Sequence, residues 1–254
     1  MKILITGGNG NLARSLKASL SEIGYQVHSL SSKSNEPENR LDLKRGYDVA
    51  VLKEVSGVIH CAVNPDLIFN DIEKDFLDRV ISKEIKLFYV GSTSSYLVER
   101  NNYGDYKREV ESYVEHIGGL VLTCGLLYGD NFNGQVSVLE RLLIKLPFKI
   151  SLSGSKFVYL TKISSLLSII NEILIKNLEI KGRILLFDSS QISFNAFLSK
   201  LGGNKKLTIS FSSKLLVVLL RFFPIRFTYF SVDRLRGLLS EFKPELIDEA
   251  RSLK

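Results

Sequence analysis

Two cysteines, Cys61 and Cys124, are all that the 254 residues contain, and both sit among apolar neighbours. A disulfide framework is therefore not expected, and a reducing, cytoplasmic setting is. The three histidines, His28, His60 and His116, lie in unrelated contexts, and nothing has the spacing of a metal-ligand cluster. No block of five basic residues occurs, so the formal charge of +7 favours anionic ligands only in a general way, and nucleic acid is not an expected partner. The apolar run Leu215 to Leu220, flanked by Lys214 and Arg221, is too short to span a bilayer. It reads as a packed helix of a small lobe in preference to a helix lying in a membrane surface. The first residues already read as strand and glycine turn, so no signal peptide is expected. Neither an internal repeat nor a flexible linker divides the chain.

What is present is a core-forming sequence, 45% hydrophobic, organised around its first thirteen residues. Residues 2–6 form a short apolar run. Gly7-Gly8-Asn9-Gly10 follows, and Leu12, Leu16, Leu20 and Ile23 then mark one helix face until Gly24. Strand, glycine turn and helix in that order is the setting that a dinucleotide fingerprint requires. Gly7 would allow the tight turn, Gly10 the approach of backbone to a pyrophosphate, and Ala13 close packing of helix on strand. Asn11 and Leu12 open the helix, whose free N–H groups and positive dipole end favour phosphates. An ordinary glycine-rich β–α turn is the bland alternative.

The second strand spans residues 25–30 and ends at Ser31-Ser32-Lys33-Ser34. An acidic residue here would accept hydrogen bonds from an adenosine ribose and repel a 2′-phosphate. None occurs before Glu36, so Ser31 and Lys33 would tolerate a phosphate, with a plain polar loop as the other reading. Leu41-Asp42-Leu43 leads into an expected helical stretch to about Val55. The third strand is expected at 58–62, a helix at 68–83 with Asn70 near its start, and the fourth strand at 86–90. A further helix begins near Asn101, and another strand covers 120–123. Beyond Gly129 the spacing predicts helices at 136–146, 163–175 and 194–201 and strands at 157–160 and 183–187. This alternation predicts an α/β fold, a Rossmann-type doubly wound parallel sheet that binds ligands at the carboxyl ends of its strands. Residues 1–130 are expected to form the nucleotide-binding domain, and 131–254 a small C-terminal substrate lobe interleaved with the last Rossmann elements.

The cluster Ser92-Thr93-Ser94-Ser95 follows the fourth strand and lies at such an end. Tyr103 and Lys107 are four residues apart and share a helix face. A lysine ammonium beside a phenol favours the phenolate, and the pair is then suited to general acid/base work. The same lysine can hydrogen-bond a ribose, and a hydroxyl such as that of Thr93 can hold a substrate oxygen. Each piece is common alone. The order carries the information: glycine fingerprint, hydroxyl cluster after strand four, then Tyr-x-x-x-Lys opening the next helix.

With these residues in place the chain resembles the extended short-chain dehydrogenase/reductases, of the NAD-dependent epimerase/dehydratase group. Thr6 to Ala13 is similar to the family's TGGxGxxG, with alanine at the last glycine. His60-Cys61-Ala62-Val63 resembles its HxAA stretch, Ser92-Thr93-Ser94 its active-site cluster, and Tyr103-Gly-Asp-Tyr-Lys107 its YxxxK. Leu127-Tyr128-Gly129 is similar to the segment after the next strand, residues 157–165 to an aromatic-aliphatic strand entering a helix, and residues 231–239 to a C-terminal segment of nucleotide-sugar members. The resemblance implies NADP or NAD as cofactor, held by Gly7, Gly10, Asn11, Leu12, Ser31, Lys33, Asp42, Leu43, Cys61, Ala62, Tyr103 and Lys107, with Asp42 against the adenine. It implies Tyr103 as acid/base, Lys107 as its electrostatic partner and Thr93 as the substrate hydrogen-bond donor, with Asn70 ordering the lysine through water. A nucleotide-linked sugar is the implied substrate, and a homodimer is left open. The sequence also departs from the pattern. Thr93 and Tyr103 are only ten residues apart, so the acidic pair of dehydratases is missing; Thr123-Cys124 stands for the usual Arg-Pro, and Ser31 for the usual acid. Hydride transfer with reduction or epimerisation is the expected reaction, and a non-catalytic NAD(P)-binding protein the alternative.

Overall fold

Lys2–Thr6 (β1) is a run of β-branched and aliphatic side chains buried on both faces from Ile3 onward, the signature of a central parallel strand. It pairs in parallel with Gln26–Leu30 (β2) on one side and Gly57–His60 (β3) on the other. Lys86–Ser92 (β4), Leu120–Cys124 (β5) and Gly182–Leu186 (β6) extend the sheet, giving the order β6-β5-β4-β3-β1-β2, parallel throughout. The computed structural model describes residues 1–98, 100–129, 134–153, 157–187, 192–202 and 207–211. The strand order reverses between β1 and β3, and the crevice at their carboxyl ends is where ligands of such sheets bind.

Helices cover both faces. Asn11–Glu22 (α1) and Ile163–Ile175 (α5) pack Leu16, Leu20, Leu166 and Ile170 against Ile3, Ile5 and Ile59. On the other face Asp71–Ser82 (α2) and Asn102–His116 (α3) bury Phe76, Leu77, Val110 and Val114 against Leu4, Val58 and Tyr89. A separate apolar cluster joins Val136 and Leu143 of Gln135–Lys145 (α4) to Phe194, Phe197 and Leu198 of Phe194–Gly202 (α6). The expected Rossmann-type parallel sheet is therefore the fold observed.

Several local expectations fail for identifiable reasons. The stretch 43–55 is not helical. Leu41–Asp42 pairs antiparallel with Gly46–Tyr47, and only one 3₁₀ turn, Val49–Leu52, follows. Asp42 Oδ1 accepts from the Lys44 N–H (2.9 Å) and Asp48 Oδ1 from the Ala50 N–H (2.9 Å), local bonds that compete with a helix. β3 stops at His60 because the next two N–H groups turn to the Thr6 hydroxyl. The segment 157–160 is split: Phe157–Val158 pairs with Ile192–Ser193, and Leu160–Lys162 with Leu126–Tyr128. The C-terminal runs 214–221 and 231–239 lie outside the described residues. Among the described residues no helix is long and apolar enough to cross a membrane.

Candidate functional site

Gly7 has φ +73°, the left-handed region, and a Cβ there would sit 3.1 Å from the Ala62 backbone across the crevice. The Gly10 N–H closes the turn on the Gly7 carbonyl (2.7 Å), and Gly10 then serves as the N-cap of α1 without a side-chain cap. No N-cap side chain covers the start of α1, the end of a helix whose dipole favours an anion. Ala13 is fully buried on the strand-facing side of the helix, which is the close packing expected of it.

At the end of β2 the Ser31 hydroxyl accepts from Asn9 Nδ2 and from the Lys33 N–H (3.2 Å). Both lone pairs are then occupied, and its own O–H is left to donate outward. Asn9 ties the glycine turn to the end of β2, a role that its place in the fingerprint did not disclose. Asp42 caps its own hairpin and lies 4.0 Å from Arg40. Leu43 buries its side chain in the core, and its carbonyl accepts from Asn70 Nδ2. Cys61 and Ala62 both donate their N–H groups to Thr6 Oγ1 (3.0 Å each), so only their side chains and carbonyls face outward chemistry. Burial pushes the Cys61 thiol up to about 12, partly opposed by the Lys107 ammonium, and it is no nucleophile at neutral pH.

Thr93 opens a 3₁₀ turn, Thr93–Tyr96, directly after β4. Asn101 caps α3 through the Gly104 N–H (2.9 Å), which sets Tyr103 in the first helical turn and Lys107 one turn on. Lys107 is buried, donates from Nζ to the Val90 carbonyl (2.9 Å), and lies 4.5 Å from the Tyr89 ring centroid and 5.9 Å from that of Tyr103. Among the described residues neither the Thr93 nor the Tyr103 hydroxyl has a protein hydrogen-bond partner. The structure thus sets the turn that opens at Thr93 against the first turns of α3, which carry Tyr103 and Lys107, at the carboxyl edge of β4. Tyr106 is elsewhere. Its hydroxyl donates to Glu73 Oε1 (2.7 Å) inside the core, and burial and the Glu73 charge hold it well above the usual phenol range. Asn70 caps α2 through the Glu73 N–H (3.0 Å) and donates from its amide to the Leu43 carbonyl.

Gly104 explains how the two halves of the site meet. A Cβ on it would lie 2.6 Å from the Ser94 carbonyl oxygen, so the first turn of α3 rests directly on the turn that carries Thr93. Alanine near a helix start would ordinarily be neutral or gain up to about 1 kcal/mol. Overpacking here costs about 1–3 kcal/mol instead. Gly104→Ala is therefore expected to lower the thermal midpoint, whereas a midpoint at or above the parent's would show the contact to be loose.

No known protein family matches the chain in a sequence scan, and no curated protein matches it. Solved structures do. A dTDP-4-dehydrorhamnose reductase from Clostridium acetobutylicum is 19% identical, with 85% of each chain covered and a TM-score of 0.65. One from Bacillus anthracis, solved with NADP, is 18% identical over 93% of this chain and 96% of its own, also at 0.65. UDP-glucose 4-epimerase from Thermotoga maritima, solved with UDP-glucose, is 17% identical over 84% and 86%, at 0.62. At such identity the likeness is one of fold, the Rossmann-type parallel sheet with helices on both faces.

Proposed function

We propose that the chain is an NAD(P)-dependent oxidoreductase or epimerase of the extended short-chain dehydrogenase/reductase type, acting on a nucleotide-linked sugar. The observation that carries this reading is the packing of the Thr93 turn on the start of α3, with Tyr103 and buried Lys107, at the sheet edge where the glycine turn and α1 also begin. The glycine turn suits a dinucleotide: with no Cβ at Gly7 or Gly10 a pyrophosphate could approach the backbone, and Asn11 and Leu12, which open α1, would lie against it. Ser31 and Lys33 would face the adenosine ribose, Asp42 and Leu43 the adenine, and Cys61, Ala62 and Lys107 the nicotinamide ribose. The cofactor supplies or accepts hydride. Tyr103 gives or takes the substrate's hydroxyl proton, Lys107 biases that proton by its charge, and Thr93 holds the substrate oxygen. The likeness to structures solved with nucleotide sugars supports the substrate class, and a basic chain suits a diphosphate. The cluster around α4 and α6 is the proposed substrate lobe. A panel of nucleotide sugars with NADPH and NADH tests the reading: turnover that depends on Tyr103 supports it. The ten-residue span from Thr93 to Tyr103 favours, as a second reading, a cofactor-binding protein without turnover, and the same panel separates the two.

Cofactor preference follows from the Ser31 inventory. An outward O–H next to Lys33, with no carboxylate, could donate to a 2′-phosphate, so NADPH is expected to bind at least as tightly as NADH. Ser31→Asp should reverse this, since a carboxylate repels the phosphate and accepts from the free ribose. Fluorescence titrations check it, and much tighter NADH binding by the parent protein would reject it.

A further inference from the structure

Glu111 lies four residues beyond Lys107 on the same buried face of α3, and its carboxylate is completely enclosed. Oε1 accepts from the Ser92 N–H (2.9 Å), and Oε2 lies 2.8 Å from the Ser95 hydroxyl and 3.3 Å from Arg183 Nη1. Ser92 and Ser95 bracket Thr93 and Ser94, so the carboxylate grips both ends of the turn that presents the Thr93 hydroxyl. The room for it comes from Gly91, where a Cβ would lie 2.7 Å from Glu111 Oε1. Arg183, on β6, is itself held by Glu115 (2.7 Å) and closes the arrangement from the sheet edge. Burial of the carboxyl raises its pKa, and Arg183 with the two turn donors opposes that shift. A buried acid with this much local compensation is costly to build, and a plain apolar contact would hold two elements together as well. What the carboxylate adds is direction: one rigid group orients a helix and a turn relative to each other.

We infer that Glu111 is a positioning residue that locks the Thr93 turn to the Tyr103–Lys107 helix and so sets the spacing of the two reacting hydroxyls. The inference rests on the reading of Thr93, Tyr103 and Lys107 proposed above. It accounts for a connection of only ten residues between Thr93 and Tyr103. The relation of the two groups is fixed from beneath by Glu111 and Gly104, and no long intervening loop is required for it.

The test is a double-mutant cycle on steady-state turnover with the sugar that the panel identifies. Glu111→Gln keeps the shape but replaces one acceptor oxygen with an amide that confronts Arg183. Loss of alignment should lower kcat by about 10-fold to 10²-fold, the scale of a misplacement near 1 Å. The KM for the cofactor, which binds at the glycine turn, should stay unchanged. In a Thr93→Val background the same substitution should have little further effect on kcat, because the hydroxyl it positions is gone. Ser95→Ala, which removes the hydroxyl shared between Glu111 Oε2 and the Ser92 carbonyl (2.8 Å each) and leaves the carboxylate in place, should show the same non-additivity with a smaller loss, and it serves if Glu111→Gln does not fold. Equal fold losses in both backgrounds, or an unchanged kcat, overturn the inference. If Tyr103→Phe or Thr93→Val is fully active, the site reading itself fails and the inference falls with it. The cycle thus distinguishes failure of the positioning role from failure of the proposed chemistry.

Discussion

Tyr103→Phe is expected to reduce turnover by about 10²–10⁴-fold, the usual contribution of a positioned acid/base, while cofactor affinity changes little. The substitution removes the O–H and keeps the ring beside which the Lys107 ammonium sits. Lys107→Ala should harm both turnover and cofactor binding. It removes the charge that biases the phenol, the ribose contact, and the bond to the Val90 carbonyl, and it leaves a cavity among buried side chains. Thr93→Ser should keep much of the activity and Thr93→Val little, because only the hydroxyl is asked to hold the substrate oxygen. Single-turnover measurement of the hydride step with each variant checks the set. Full activity in Tyr103→Phe would reject the assignment outright. Tyr106 offers no rescue, since it is enclosed in the core and already donates to Glu73.

The main frame of the site could be read from the residue string because it depends on local rules. Glycine at a left-handed position, an apolar run before it and a helix stripe after it are each short-range signals, and Gly7 with α1 behaves as they require. The i, i+4 spacing of Tyr103 and Lys107 is likewise a property of one helix. What the string hid is which polar groups become buried. Glu73 lies near the start of α2, beside Asp71, and looks like a solvated acid favouring the helix dipole, yet it is wholly enclosed. Glu111 continues the Tyr103–Lys107 stripe, so its face was legible, but its grip on Ser92 and Ser95 depends on how α3 lies on the sheet. The capping role of Asn70 was hard to foresee because capping and water-ordering make the same demand on a sequence, a polar residue at a helix start. The failed helix after Leu43 has a local cause: two Asx turns and Gly46 at φ +112° outweigh an apolar periodicity of a few residues.

The largest stability effect is expected at Glu73. Thr6 Oγ1 accepts from the Cys61 and Ala62 N–H groups, which occupies both of its lone pairs, so its hydrogen goes to His60 Nδ1 (2.9 Å). His60 then carries its proton on Nε2 and donates it to Glu73 Oε1 (3.0 Å), where the Tyr106 hydroxyl donates as well. Tyr106 in turn accepts from the Asn64 N–H (3.2 Å). One carboxylate oxygen therefore ends a chain that runs from the base of the glycine turn, through the end of β3, to α3. Glu73→Leu leaves two enclosed donors without an acceptor, at about 1–3 kcal/mol each, so a loss of about 2–6 kcal/mol is expected. That is a large share of the about 5–15 kcal/mol by which a domain is stable. Glu73→Gln differs sharply, because its carbonyl oxygen keeps both bonds. The amide nitrogen replaces Oε2, an oxygen with no hydrogen-bond partner among the described residues, so one enclosed donor group is left unpaired where leucine leaves two, at about 1–3 kcal/mol each. Its loss should be well below that of leucine. Urea unfolding of the two variants, with nitrogen NMR of the His60 ring to confirm the Nε2–H tautomer, decides the point. Equal destabilisation by glutamine and leucine would show that the charge, and not the acceptor oxygen, holds α3 to the glycine turn.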